Sequence, residues 1–328
     1  MAFGQKGGSA PMDMPKRTVE FESGLRLKAL IASAKAFAPI KTAVVHPVEP
    51  VSLSGAVEAA REGLIIPVLV GPRARIEGAA KTGGIDISKF ELVDAPHSHA
   101  AAARAVALAH DGAVDALMKG ALHTDEIMHE VVSFKSGLLT ERRISHVYVM
   151  DAPGYEKLLF ITDAAINIQP DLEVKRDIVQ NAIDLARALG IEAPKVAILS
   201  AVETVYPKIQ STIDAAALCK MADRGQIKGG VLDGPLAIDN AVSPEAAATK
   251  GIVSPVAGHA DILVAPDIDA GNILAKQLDY LAGAVAAGVV LGARVPIVLT
   301  SRAEETFPRV ASCAVAQIFH HRRAETAA

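Results

Sequence analysis

Short apolar runs recur along this chain with amphipathic or alanine-rich stretches between them, and no other feature narrows the fold so far. Residues 41–46 (KTAVVH), 65–70 (IIPVLV), 116–119 (ALMK), 144–150, 158–162, 196–199, 230–232, 262–265 and 297–300 each read as a strand. These runs are apolar almost throughout rather than alternating, the pattern of strands covered on both faces. Residues 50–61 and 98–110 read as helices. Across 171–189, Val174, Ile178, Ala182, Leu185 and Leu189 recur at spacings of four, four, three and four, and Gly190 stops the helix. Strand and helix in turn predict parallel βαβ units, hence an α/β fold with mostly parallel sheets.

Residues 271–291 read as one long helix, with a final helix at 306–320. The most apolar part, 281–293, lies between Asp279 and Arg294 and falls short of the roughly 20 residues of a membrane span, so it reads as a buried core helix. A chain of 328 residues is longer than single cores usually grow, so two domains are expected. The polar, basic loop 136–143 (SGLLTERR) is the natural boundary. Residues 1–17 mix Gly, Pro and Met without an apolar stretch, and are expected to form a disordered tail rather than a signal peptide.

Composition removes several functions. Aromatic residues make up 4% of the chain and Trp is absent, which disfavours a base-stacking surface. The net charge of −4 predicts no nucleic-acid footprint and no membrane attraction, so an anionic substrate would need a local cluster of cations. Cys219 and Cys313 share no metal or redox spacing, as in a reduced cytoplasmic protein. The signatures of P-loop nucleotide hydrolysis, Rossmann hydride transfer, serine hydrolysis and zinc proteolysis do not occur.

Four segments could carry chemistry. In Met118-Lys119-Gly120-Ala121-Leu122-His123-Thr124-Asp125 a strand turns at a glycine into a helix, which Thr124 or Asp125 would cap. Free N–H groups and the helix dipole favour an anion there, and Lys119 and His123 add to it. The same segment also reads as an ordinary βα loop. DGPLAIDNAVS, residues 233–243, concentrates acids, Asn and Ser in a short irregular stretch. In APDIDAGNILAK, residues 265–276, a strand leads through Gly271 and Asn272 into a helix. Asn272 and Lys276 lie one turn apart and can face one crevice at the strand ends, although capping by Asp269 beside a solvated Lys276 reads equally well. Finally, Thr300-Ser301-Arg302 closes a buried strand with two hydroxyls and a guanidinium suited to bidentate capture of phosphate.

Together, DGPLAIDNAVS, KGIVSPVAGHADILVAPDIDAGNILAK and VPIVLTSR, supported by MKGALHT, resemble the phosphate acetyltransferase/phosphate butyryltransferase family over roughly residues 41–320. The wording DNAVS, AGN and TSRAE looks closer to the butyryl branch. The resemblance implies two α/β domains flanking a cleft, as in isocitrate/isopropylmalate dehydrogenases: 18–138 with 296–328, and 139–295. It implies a cytoplasmic homodimer that moves an acyl group between coenzyme A and inorganic phosphate. Acyl-CoA and phosphate would be its partners, with coenzyme A a substrate and no tightly bound cofactor or metal. By position, Ser301 would stabilise the carbonyl oxygen and Arg302 bind phosphate. Thr300 and the loop from Lys119 through Gly120 to Thr124 would line the phosphate side with Gly271 and Asn272, and Lys276 would stand close by.

Three positions depart from the family pattern. Pro308 stands where the acetyl branch carries an Asp base, seven residues after Ser301, so His123 and Glu304 become the candidate bases. His129 stands for a phosphate-binding Arg, and a neutral imidazole holds a dianion less firmly. Ala275 replaces an aromatic residue. Two other readings follow: a metal-dependent dehydrogenase of the same fold, with Asp233, Asp239 and Asp267 as ligands, or a non-catalytic protein that binds coenzyme A or acyl phosphate.

Overall fold

A computed structural model describes residues 23–300 and 305–326, so the expected tail at 1–17 lies outside the described residues. Its first half runs α1 (Leu25–Ala34), β1 (Ile40–Val45), α2 (Pro50–Arg61), β2 (Ile65–Gly71), α3 (Arg73–Gly83), β3 (Glu91–Asp94), α4 (Ser98–His110), β4 (Ala116–Lys119) and α5 (Thr124–Val132). The second series is β5 (Ser145–Asp151), β6 (Leu159–Thr162), α6 (Leu172–Ala188), β7 (Lys195–Leu199), α7 (Gln210–Asp223), β8 (Val231–Leu236), α8 (Ile238–Val242) and α9 (Pro244–Thr249). The chain closes with β9 (Ile262–Val264), α10 (Ile268–Ala282), β10 (Val285–Leu291), β11 (Ile297–Val298) and α11 (Thr306–Thr326).

The α/β expectation is met. All strands join one sheet in the order β3-β2-β1-β4-β11-β10-β5-β6-β9-β7-β8, parallel except at the three pairings around β10 and β5. After the β5–β10 excursion, β11 returns to pair with β4, placing Val298 beside Met118. One face of the sheet carries a continuous core that joins side chains of α1, α2, α6 and α11 across its width. The opposite face carries two separate cores. One packs α4 and α5 on β1, β2 and β4; the other packs α8, α9 and α10 on β5, β6, β7 and β9. The gap between those two cores is the feature that positions the site.

Residues 271–291 correct the sequence reading. They are not one helix: α10 ends at Gly283, whose φ of 67° lies in the left-handed region, and the Val-rich remainder forms β10. The apolar run 281–293 is therefore mostly a central strand, paired with β5 along its whole length and buried by helices rather than itself a helix. Among the described residues no helix is long and apolar enough to cross a membrane.

Candidate active site

A cavity of about 530 Å³ opens between the β4–α5 turn on one side and the first turns of α10 on the other. Lys119, His123, Thr124, Asn272, Lys276 and Thr300 all face it, so the structure gathers side chains from three of the four segments singled out in the sequence. Ser301, Arg302 and Glu304 lie outside the described residues.

The β4–α5 wall is built from the sheet outward. Lys119 ends the central strand β4 and is 3% exposed, with its Nζ donating to the Thr300 carbonyl at 3.4 Å. The turn that follows is pinned to β1, with Gly120 N–H donating to the Val45 carbonyl and Ala121 N–H to the His46 carbonyl, each at 2.9 Å. Any side chain at Gly120 would collide with that Val45 carbonyl, which explains the glycine by close approach rather than by φ. The cap of α5 differs from the expectation. Neither Thr124 nor Asp125 caps it; His123 occupies the cap position, and its N–H donates to Glu126 Oε1 at 3.0 Å. Glu at the third helical position reaches back to the cap, one half of a capping box. Ser98 Oγ donates to the same carboxylate, and this bond, with help from the His123 N–H, holds the Glu126 carboxyl below its ordinary value against the opposing effect of burial.

The α10 wall depends on how a helix is seated. Asp267, not Asp269, caps α10 by accepting from Ala270 N–H at 2.9 Å, and Asp269 lines the cavity instead. Gly271 lies so close to the Asp163 carbonyl that a Cβ would strike it and approach the Ala265 side chain at 3.1 Å. Asn272 Nδ2 donates to the Ala164 carbonyl at 3.0 Å. Asp163, itself buried, fixes that loop by accepting N–H bonds from Ala165, Ile166 and Asn167 at 3.0–3.1 Å. Lys276, one turn beyond Asn272, is exposed at the mouth.

Between the walls, the floor is made by β11 and β5. The Thr300 hydroxyl is buried and has no hydrogen-bond partner among the described residues, an unspent donor beside Lys119. Tyr148 lines the cavity over His146, with ring centroids 4.4 Å apart. His146 is fully buried near the Leu299 carbonyl, neither ring nitrogen making a well-formed hydrogen bond among the described residues. Burial pushes its pKa down to about 4, so it is neutral near pH 7.

His129 does not join this assembly. It lies exposed in the last turn of α5, away from the cavity lining. The three aspartates considered as metal ligands are engaged separately. Asp233 accepts from Gly234 N–H, Asp239 pairs with Lys250 at 3.1 Å, and Asp267 caps α10. Asp163, Tyr148 and Leu299 belong to the site but are not singled out by the sequence reading. An Asp closing a strand before Ala-Ala-Ile-Asn was a usable signal for the first, since Asx side chains bind the backbone just ahead of them; the other two have none. Buried and exposed cations, a free hydroxyl and a helix N-terminus facing one cavity suit a multiply charged oxyanion and a carbonyl that gains negative charge.

Comparison with known proteins agrees with that chemistry. The model of the phosphate acetyl/butaryl transferase family matches residues 99–316, and the chain belongs to this family. A phosphate acetyltransferase of Rhizobium meliloti is 65% identical over 294 residues, covering 90% of this chain and 93% of the relative. A phosphate butyryltransferase of Clostridium acetobutylicum is 44% identical over 270 residues, covering 82% and 89%. Among solved structures, a branched-chain phosphotransacylase from Enterococcus faecalis superposes with a TM-score of 0.75 at 31% identity, covering 86% of this chain and 99% of that one.

Proposed function

We propose that the cavity between the β4–α5 turn and α10 is where a short acyl group passes reversibly between coenzyme A and phosphate. The convergence of Lys119, Thr300, Asn272 and Lys276 on one cavity, in a chain of this family, carries the reading. In one direction a phosphate oxygen attacks the thioester carbonyl, the C–O bond forms, the C–S bond breaks and the thiolate leaves. In the other, the thiolate attacks the acyl phosphate carbonyl and phosphate leaves.

Lys119, Thr124, Asn272 and the N-terminal turn of α10 containing Gly271 hold the phosphate oxygens, and Gly120 lets the turn come close. Thr300 helps orient them, and Lys276 draws the polyanionic coenzyme to the mouth. Arg302 clamps phosphate in bidentate fashion. Ser301 donates to the carbonyl oxygen as charge develops, a contribution typically worth about 10²- to 10³-fold in rate. His123, exposed on the cavity wall, takes the thiol proton. His129, on the far turn of α5, plays no direct part. Acetyl is an accepted group, in keeping with the 65% identity to an acetyltransferase.

The same reading divides the chain into 18–138 with 296–328, and 139–295. The separate cores flanking the cavity support it, as does the pairing of Leu139 with Ala293 where the chain leaves and returns. The enzyme works as a cytoplasmic homodimer.

A phosphate-dependent thiol-release assay with acetyl- and butyryl-CoA tests the proposal. Ser301→Ala and Arg302→Ala are each expected to lower kcat/KM about 10²-fold or more. Absence of phosphate-dependent release from every short acyl-CoA would sink it.

A further inference from the structure

A second cavity of about 200 Å³ continues from the first along the strand β5, sharing Tyr148 and Lys276 with it. Its floor and roof are apolar, and polar groups stand at both ends. Met150 and Ala286 face each other across the β5–β10 pairing and form the floor, and Ala275 of α10 forms the roof. All three are buried, at 0%, 8% and 3% exposure. The polar groups at the shared end are Tyr148 and Lys276; at the end farther along α10, Asp279 and Tyr280 follow Lys276 by one turn. Burial raises the pKa of Asp279, as expected for a carboxyl facing this lining.

We infer that this side cavity is the acyl pocket, receiving the carbons beyond the reacting carbonyl and setting the chain length accepted. The assignment rests on the acyltransfer reading of the main cavity. A carbonyl placed over Thr300 has polar surroundings toward Lys119 and Asn272, and the apolar extension leads off beneath α10. A methyl or methylene is similar in size to a water's share of liquid volume, about 30 Å³, so 200 Å³ has room for several carbons. Two alanines leave that room; any larger side chain at either would remove it. Each carbon buried there strengthens binding about four-fold. The carboxyl of Asp279 then sets the far limit, since a longer chain would strip water from it. Acetyl, propionyl and butyryl groups are therefore accepted; the five carbons that hexanoyl adds would still fit the volume, so it is the water stripped from Asp279, not lack of room, that disfavours hexanoyl against butyryl.

The test is kcat/KM for acetyl-, propionyl-, butyryl- and hexanoyl-CoA in the phosphate-dependent assay. It uses the full-length wild type and Ala275→Leu, Ala286→Val, Met150→Ala and Asp279→Leu. Both filling variants should lower the butyryl-to-acetyl ratio at least tenfold, whereas Met150→Ala and Asp279→Leu should raise the hexanoyl-to-butyryl ratio. Denaturation midpoints show which variants are folded, and the four variants act from both walls and in opposite directions, so no single misfolded one decides the matter. Ratios that stay within twofold of wild type in the folded variants would overturn the pocket while leaving acyltransfer in place. A wild type that turns over no acyl-CoA would overturn both.

Discussion

The two walls of the cavity hold their cations in opposite ways. On the β4–α5 side, Lys119 is buried at the end of a strand flanked by β1 and β11, so its position is fixed by the sheet ladder itself. On the α10 side, Lys276 stands exposed on a helix seated by three local devices: the Asp267 cap, the Gly271 contact and the Asn272 bond to Ala164. A charge fixed by the sheet needs little reorganisation when a substrate arrives, and low-dielectric surroundings strengthen its pull. A charge carried on a helix can attract a ligand from further away but is screened by salt. The first wall is thus suited to the chemical step and the second to capture and alignment.

The largest effect expected from this difference is that of Lys119→Met, which keeps an unbranched side chain and removes the charge. The value of kcat/KM should fall about 10²- to 10³-fold, or about 3–4 kcal/mol of transition-state stabilisation, with the phosphate KM raised. Denaturation midpoints read stability separately, because the substitution relieves the cost of burying an ammonium and at the same time removes its hydrogen bond to the Thr300 carbonyl. A loss of less than tenfold would mean that the buried cation does not face the transferring group, and the contrast between the walls would collapse.

On the helix wall, stability and activity should move together. Ala is ordinarily about 1 kcal/mol better than Gly inside a helix. At Gly271 the added methyl meets the Asp163 carbonyl and the Ala265 side chain, and overpacking of this kind costs about 1–3 kcal/mol. Gly271→Ala should therefore destabilise the protein by up to about 2 kcal/mol and displace Asn272. Gly78, in α3 with no atom within 4 Å of its added Cβ, supplies the contrast. Gly78→Ala should stabilise by about 0.4–1 kcal/mol. Urea midpoints of the pair decide the point; a Gly271→Ala variant as stable as Gly78→Ala would mean that α10 is not held by that contact.

The walls also differ in how much of them could be read from the sequence. The β4–α5 turn was visible because a strand, a glycine and a cap follow one another within MKGALHTDE, all local signals. The start of α10 was visible for the same reason. Its end was not, because LAGAVAAGVVLGA is composed of Ala, Gly, Val and Leu and shows neither a period of 3.6 nor a period of 2. A central strand buried on both faces has no wet side to mark its register, and only Gly283 and the Val residues after it separate β10 from the helix. The cap of α5 falls one residue before Thr124 and two before Asp125, and Ser98, 28 positions earlier, helps anchor the Glu126 carboxylate that reaches back to it. Tyr148 entered the site through pairing with β10, a relation no local pattern encodes.

That same carboxylate gives an effect that sharpens the comparison through pH. The Ser98 hydroxyl, followed by the His123 N–H, holds Glu126 below its ordinary value while burial opposes them. A carboxyl whose pKa is lower when folded binds fewer protons in the native state. Its contribution is fully present above the unfolded value near 4.5 and is lost as pH falls through the folded value. Glu126→Gln, which leaves a neutral acceptor, should cost about 1 kcal/mol at pH 7. The urea midpoints of wild type and variant should then converge as the pH falls below 4.5 and through the lower folded value. Hydrogen exchange should locate the loss at the first amides of α5 and leave those of α10 unchanged, since the two walls share no part of this bond. A midpoint difference that stays constant from pH 7 to pH 3 would show that the charge on Glu126 does not help to hold the turn in place.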